Sequence, residues 1–389
     1  MTPFASLLAS SVPELMLDGG TGLRWAGIGH LTFGTACLSI FEAFLLQRFF
    51  GADKDRTFLL VLGGNFLSAW LAALLLGNVA SAPHHLKLDT AWTWFWGASF
   101  LCLLLMIIVE WAFVYWSLPQ QGARRAESSL RANLLIQPLS LVLLALYYVG
   151  PSQVSLYTQL EQVPLRELPV PDQLRVYYTS LDQKTVYSTP LATFQPSLIS
   201  NLESESSTER SIRQLLLRPQ DETSPSQEGA WDLLALLQSP RARPSMTAMP
   251  LMIPVAPSLI GLGTLQSPHR RRVERGKTPR WVHPSTTIGL APTLGKSPWR
   301  ASLSHWASHG LEIQTKETLT PILRIAYATP FGSFRIQHPT LLPNDLLLFQ
   351  IGQEIAVVHI PTRRLSRLTI GENPVAFLLS EPESEVAGS

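Results

Sequence analysis

The sequence predicts an α-helical membrane protein, with a four-helix transmembrane bundle of two repeated hairpins, a C-terminal β-containing region and a disordered linker. Up to Gly150 the chain has only eight Lys or Arg and eight Asp or Glu residues, separated by long apolar stretches. Glu, Arg and Asn recur 68 residues apart, where one stretch ends and the next begins. After Gly150 there are 22 Lys or Arg and 20 Asp or Glu residues, as in a water-soluble region.

Four apolar segments are long enough to cross a hydrocarbon core, which needs about 20 helical residues. After an interfacial lead-in at 1–24, they form a membrane domain at 25–150, with spans at about 25–47, 58–80, 94–116 and 134–150. The aromatic cluster 91–96 is typical of the headgroup level at the start of a span. Pro138 is compatible with a local kink in the fourth helix.

The short loops predict the orientation. The first loop with its flanks and the third carry six basic residues, against two on the opposite side: Arg48, Lys54, Arg56, Arg124, Arg125 and Arg131, against Arg24 and Lys87. Because cytoplasmic loops are enriched in Lys and Arg, loops one and three are expected in the cytoplasm. The chain is then a multi-pass protein of the bacterial cytoplasmic (inner) membrane, with the region after Gly150 outside the cytoplasm.

Two sets of polar residues are the candidate site. Each has a Glu near the end of one span, an Arg at the turn and an Asn early in the returning span: Glu42, Arg56 and Asn65, then Glu110, Arg124 and Asn133. A carboxylate inside a membrane is costly, so each Glu is expected to face the bundle and find a partner. An Asn offers two donors, and an Arg offers charge.

Two interpretations of this intramembrane polar cluster remain open. In the first, it binds an ion, a proton or a headgroup between two repeats, as duplicated transporters do. In the second, Glu to Asn and Glu to Arg bonds only clamp each hairpin, as polar side chains do between membrane helices.

The region after the bundle divides into three parts. A β-hairpin region is predicted at 151–200, with strands at 174–181 and 185–189. A Ser-, Pro- and Arg-rich linker at 201–310 is expected to be largely disordered, apart from short helices at 211–217 and 230–237. A β-rich region follows at 311–389, where four short apolar runs alternate with turns.

One segment of the linker has two interpretations. Residues 247–265 are apolar, uncharged and followed by a basic run, as a fifth span would be. Pro250, Pro254 and Pro257 argue against a helix, because each removes a helix hydrogen bond. The alternative is an extended apolar strand or loop.

Motifs of catalysis are missing from the sequence, which has no GxSxG, Walker or GxGxxG pattern. His305 and His309 are four residues apart and are weak candidates for a metal site, but no Glu follows His305 as in the metalloprotease motif. Enzymatic activity is not expected, and no cofactor is indicated. The net charge of +2 gives no reason to expect nucleic acid as a partner.

The C-terminal runs at 345–349, 355–358, 363–365 and 371–375 resemble one blade of the WD40-like repeats of bacterial β-propellers. The hairpin at 176–191 is similar to a degenerate second copy. The membrane half resembles uncharacterised bacterial membrane proteins with a Glu at one helix end and an Asn early in the next. The first resemblance implies a propeller-like β fold, and the second implies no activity.

These observations favour an integral membrane anchor or scaffold, whose extracytoplasmic β-containing region binds a protein or an envelope component. The lipid bilayer is one partner, and a second copy of the chain is a candidate partner. The alternative is a small transporter of ions or solutes that uses the duplicated Glu, Arg and Asn cluster.

Overall fold

The structure is a computed structural model. It describes nine stretches of the chain: residues 22–80, 87–119, 122–201, 211–219, 231–238, 247–255, 289–294, 296–304 and 310–378. They divide into two compact units. One contains the long helices and the segment 327–334, and the other contains most of the β-strands.

Four long helices form the first unit. Helix α1 has an α-helical part Gly22–Gly29, a π-helical turn His30–Gly34 and a second α-helical part Thr35–Phe50. Helices α2, α3 and α4 are Lys54–Ala80, Ala91–Ser117 and Gly122–Val149. The described residues contain four helices long and apolar enough to cross a membrane, as the sequence predicts. The predicted lead-in, apart from the residues that begin α1, lies outside the described residues.

A short turn joins the first two helices. Helix α1 ends at Phe50 and is followed by Gly51, whose φ of +67° lies in the left-handed region that favours glycine. The Asp53 carboxylate then accepts the backbone N–H of Arg56 at 3.2 Å, which caps the start of α2. Such a short turn makes the two helices antiparallel neighbours. Helix α1 also packs against α4, so the four helices close into a bundle.

The bundle exposes apolar side chains and buries polar ones. Phe33, Ile108 and Leu135 are among the large apolar side chains with more than two thirds of their surface exposed. Lipid solvates such side chains, so the bundle surface suits a membrane. Inside, helices approach closely: a Cβ added at Gly64 on α2 would lie 3.1 Å from the Phe113 ring on α3.

The β-strands follow a short helix α5, Ser155–Thr158. The first seven strands are β1 Glu161–Gln162, β2 Leu174–Thr179, β3 Thr185–Pro190, β4 Ser197–Asn201, β5 Ser211–Pro219, β6 Trp231–Gln238 and β7 Thr247–Val255. The next six are β8 Gly289–Leu290, β9 Trp299–Ser304, β10 Gly310–Thr315, β11 Pro321–Ile325, β12 Ala328–Thr329 and β13 Gly332–Ser333. The last five are β14 Ile336–Leu341, β15 Leu346–Ile351, β16 Glu354–His359, β17 Arg364–Ile370 and β18 Glu372–Leu378.

These strands pair into separate sheets. In the second unit the strand orders are β1-β17-β16-β15-β14, β18-β2-β3-β4, β11-β10-β9-β8 and β5-β6-β7. Strands β15 and β16 pair from Leu346 with His359 to Ile351 with Glu354, and β15 is buried throughout. Leucine, isoleucine and valine from β2, β15, β16 and β18 share one apolar core, which gives this unit its own hydrophobic interior.

The small hairpin β12–β13 belongs to the first unit. Its Phe331 carbonyl accepts the indole N–H of Trp94 on α3 at 2.8 Å. The Tyr327 hydroxyl donates to the Ala91 carbonyl at 3.2 Å, and the Phe331 ring packs edge-to-face on Phe95. The segment Tyr327–Phe334 therefore lies against the end of the bundle where α3 begins.

The predicted β-strands are present, whereas two segments predicted as short helices form strands. The hairpin predicted at 174–189 is present as β2 and β3, and the four C-terminal runs are β15 to β18. The short helices predicted at 211–217 and 230–237 are wrong, because these segments pair with each other as the antiparallel strands β5 and β6. Short leucine-rich runs are compatible with a helix or a strand, and in this chain cross-strand pairing satisfies their backbone hydrogen-bonding groups.

The candidate fifth span begins as a strand. Strand β7 pairs with β6, which agrees with the extended alternative, and its prolines are compatible with an edge strand. Residues 256–265 lie outside the described residues. Strands β5 to β9 lie within the stretch 201–310 that was predicted as linker, and the residues between β5, β6, β7 and β8 are also outside the described ranges.

The resemblance to one propeller blade does not extend to a closed propeller. Among the described residues no sheet closes into a barrel or a propeller. Strands β14 to β17 run as an antiparallel meander, but β18 leaves this sheet and pairs with β2. The hairpin that resembled a second blade therefore shares its sheet with the last run of the supposed first blade.

Candidate polar site in the bundle

Glu42 lies inside the bundle on α1, with 1% of its surface exposed. One carboxylate oxygen accepts the Asn65 side-chain N–H from α2 at 2.8 Å. The other accepts the hydroxyl of Ser140 on α4. This carboxylate therefore links three helices.

Glu110 occupies the corresponding place on α3 and is equally buried, with 3% of its surface exposed. Its carboxylate accepts the hydroxyl of Ser68 on α2 and the side-chain N–H of Gln137 on α4. Both carboxylates are therefore held by one amide and one serine. In each case these donors come from α2 and α4.

The donors follow one pattern. An amide residue and a serine three positions later occur on each returning helix, as Asn65 and Ser68 on α2 and as Gln137 and Ser140 on α4. Positions three apart lie on the same helix face. The amide binds the Glu of its own hairpin, and the serine binds the Glu of the other hairpin. The two pairs are 72 residues apart, one helical turn more than the offset of 68 seen in the sequence.

Asn133 does not bind Glu110, which differs from the sequence prediction. Its side-chain N–H donates to the main-chain carbonyl of Ile107 at 2.6 Å. Gln137, one turn further along α4, reaches Glu110 instead. Asn65 makes both kinds of contact, because it donates to Glu42 and also to Ser39 at 3.1 Å. Ser39 lies 68 positions before Ile107 and therefore corresponds to the residue that Asn133 binds.

The two arginines predicted for the cluster are not part of it. Arg56 and Arg124 are exposed at the beginning of α2 and α4, while both carboxylates are buried deeper in the bundle. Long basic side chains near helix ends tend to reach the interface rather than the interior. The structure thus brings together Glu42, Asn65 and Glu110 of the six predicted residues.

The serines and Gln137 were missed in the sequence. Serine is common in membrane helices, and Gln137 does not recur at the offset of 68. The signal that could have found them is the amide and serine pair, spaced by three residues, in both returning helices.

The side chains that bind the two carboxyl groups carry no charge. The four donors in the described bundle are two amides and two hydroxyls. Two acceptors in the cluster, the side-chain oxygens of Asn65 and Gln137, are buried without a hydrogen-bond partner. The cluster is therefore rich in oxygen acceptors and poor in positive charge.

A cavity of about 80 Å³ lies beside Glu110 among the helices of the bundle. Six of its lining residues carry an ionisable group, a hydroxyl or an amide: His30, Thr35, Asn65, Ser68, Cys102 and Glu110. A water molecule occupies about 30 Å³ in the liquid, so this volume suits one to three small guests. Phe331 of the β12–β13 hairpin also lines it.

No family model matches this chain. No curated protein matches it either. The described residues contain no group of three or more His, Cys, Asp or Glu side chains arranged to hold a metal ion. His305 and His309, the weak metal candidates, lie outside the described residues. The bonds from α2 and α4 to the two carboxylates can hold the helices of the bundle together.

Proposed function

We propose that the chain is an integral membrane anchor or scaffold, which presents a β-containing region for binding a protein or an envelope component. The observation that carries this proposal is the pattern of bonds to the carboxylates. Each carboxylate is held by donors from two other helices, so the two buried acidic side chains bind helices of the same bundle. Such bonds are typical of polar side chains that hold membrane helices together.

The β-containing region supports the second half of the proposal. It has its own apolar core and its own sheets, as a folded binding module does. The exposed edge of a sheet can bind an extended peptide of another protein as an added strand.

We further propose that the two hairpins arose by duplication and that the protein lies in a bacterial cytoplasmic membrane with its β-containing region outside. In each hairpin the amide binds its own Glu and the serine binds the Glu of the other hairpin, and two related hairpins packed about a pseudo-two-fold axis would give this pattern. The basic residues of the first and third loops favour this orientation.

A second candidate function is a small transporter of ions or solutes, which would act as a homo-oligomer. The cavity beside Glu110 favours it, because a transport site lies in a space between helices. The buried amide oxygen of Asn65 has no hydrogen-bond partner in the described bundle, and a transported species would supply one.

Removing the β-containing region should abolish partner binding. Chemical crosslinking in intact cells, followed by affinity recovery, is compared between the full chain and a chain truncated after Val154. We expect to recover the crosslinked partner only with the full chain, when the full and the truncated chain are present in the membrane in equal amounts. Equal recovery with the truncated chain would contradict the proposal.

A second arm separates the anchor from the transporter. In the variant E42Q/E110Q the carboxylates become amides of similar shape. An anchor keeps its crosslinked partner and loses only stability. A transporter loses the flux of ions or solutes into proteoliposomes, while its fold, measured by circular dichroism, is retained.

A further inference from the structure

The turns of the two hairpins lie together at one end of the bundle. Side chains from the end of α1, the first turn, the end of α3 and both returning helices share one apolar cluster: Leu46, Ala52, Val61, Val114, Leu118, Ala132 and Ile136. Residues that pack into one cluster are neighbours in space. The described residues of 48–56 and 116–131 therefore form one end of the bundle, which we call the turn face.

The turn face carries an excess of positive charge. Its sequence has six basic residues against three acidic ones: Arg48, Lys54, Arg56, Arg124, Arg125 and Arg131, against Asp53, Asp55 and Glu127. Arg131 pairs with Glu127 at 2.6 Å, and the Asp53 carboxylate caps α2. In the described part of the chain no ion pair joins the other five basic residues to an acidic side chain, and four of the five are exposed.

Aromatic side chains adjoin these charges. The Arg48 guanidinium carbon lies 5.9 Å from the ring centroid of Phe49, whose surface is 70% exposed. The Arg125 guanidinium carbon lies 5.4 Å from the ring centroid of Tyr115. Trp116, at the end of α3, is half exposed, and tryptophan is enriched at the headgroup level of membranes. The positive charges therefore lie where the apolar surface of the bundle ends.

A phospholipid with a net negative charge matches both properties of the turn face. Its phosphate lies at the headgroup level, where each nearby Lys or Arg strengthens binding about fivefold. Guanidinium groups also suit phosphate oxygens, because their donors form a planar fork. A soluble anion would match the charge but would leave the exposed rings of Phe49 and Trp116 unused, whereas acyl chains would contact them.

We propose that the turn face binds anionic phospholipids, with basic residues of both turns contacting the phosphates and with acyl chains along Phe49 and Trp116. Arg56 and Arg124 occupy equivalent positions 68 residues apart, so they supply one charge from each turn. The proposal gives these two arginines a role outside the buried polar cluster. It goes beyond the anchor function, and it holds for either orientation of the chain in the membrane.

The test uses the full chain in phosphatidylcholine vesicles that contain traces of spin-labelled phosphatidylglycerol or spin-labelled phosphatidylcholine. Electron paramagnetic resonance measures the fraction of each label that the protein immobilises. At low ionic strength we expect a preference for the anionic lipid of at least about fivefold, the contribution of one basic residue. In about 1 M salt most of this preference should disappear, because the Debye length falls to about 3 Å. Equal association of both lipids at low ionic strength would overturn the proposal.

Three matched substitutions of exposed residues locate the effect. Arg56→Gln and Arg124→Gln should each reduce the preference for phosphatidylglycerol, and the double variant R56Q/R124Q should lose most of it. Lys87→Gln removes an exposed basic residue before the start of α3, at the opposite end of the bundle, and should leave the preference unchanged. An equal loss in Lys87→Gln and Arg56→Gln would indicate a diffuse charge effect and refute the assignment to the turn face.

Glycerol phosphate, a soluble headgroup without acyl chains, separates a lipid site from a site for free anions. It is added to vesicles of the unmodified chain in molar excess over the spin-labelled lipid, with the ionic strength held constant. We expect the immobilised fraction of spin-labelled phosphatidylglycerol to stay the same. Its displacement would assign the turn face to a soluble phosphate compound and contradict the proposal.

Discussion

Asn65→Leu is expected to lower the free energy of unfolding of the bundle by about 2–3 kcal/mol, whereas Asn133→Leu should cost less than about 1 kcal/mol. The two residues occupy corresponding positions of the two hairpins, and both are buried. Asn65 donates to the Glu42 carboxylate, and its loss leaves a buried charged group with one donor fewer. Hydrogen bonds to charged groups are about twice as strong as those between neutral groups.

Asn133 has a replaceable role. Its donor binds the Ile107 carbonyl, which as part of α3 already accepts a helical hydrogen bond, and its own oxygen has no partner. The measurement is reversible unfolding of each variant in mixed detergent micelles, followed by tryptophan fluorescence. Equal losses for the two variants, or a larger loss for Asn133→Leu, would mean that the Glu42 contact contributes little.

Acidification should destabilise the β-containing region through His338. This residue on β14 is 3% exposed, and burial, followed by repulsion from Arg335, lowers its pKa from 6.5 to about 4. The folded state therefore favours the neutral ring. Between pH 6.5 and 4 the unfolded chain binds more protons than the folded one, so stability is complete above pH 6.5 and falls as the pH decreases. The full loss is about 3 kcal/mol, since one pKa unit is worth about 1.4 kcal/mol.

The matched variants for this effect are His338→Asn and His359→Asn. Asparagine cannot become charged, and it tolerates the φ of +51° at His338. Hydrogen exchange of β14 and β15, corrected for intrinsic rates, should lose protection towards pH 4 in the unmodified protein and in His359→Asn. The same loss in His338→Asn would assign the acid sensitivity to another group.

The sequence was sufficient to predict the four spans, because hydropathy over about 20 residues is a strong signal and the bilayer requires helices. It also predicted that Glu42 binds Asn65. The prediction that Asn133 binds Glu110 was wrong, because an offset along the chain does not report how far one helix slides along another. A slide of one turn brings Gln137 to Glu110 and moves Asn133 to a main-chain carbonyl.

The β-containing region was harder to predict for a different reason. Local alternation predicted β2, β3 and β15 to β18, because each strand carries its own pattern. Pairing between distant segments, such as β1 with β17 or β18 with β2, leaves no local trace. For β5 and β6 the leucine-rich pattern was ambiguous, and the pairing of the two segments decided between helix and strand.

The central claim is that the two hairpins are held together by carboxylates that take a serine from the other hairpin. A double-mutant cycle of Glu42→Leu and Ser140→Ala tests it most directly, because these residues lie on α1 and α4 and are 98 positions apart. We expect an interaction energy of about 1 kcal/mol or more in bundle unfolding. Effects that add within about 0.3 kcal/mol would show that the two hairpins are not coupled through this bond.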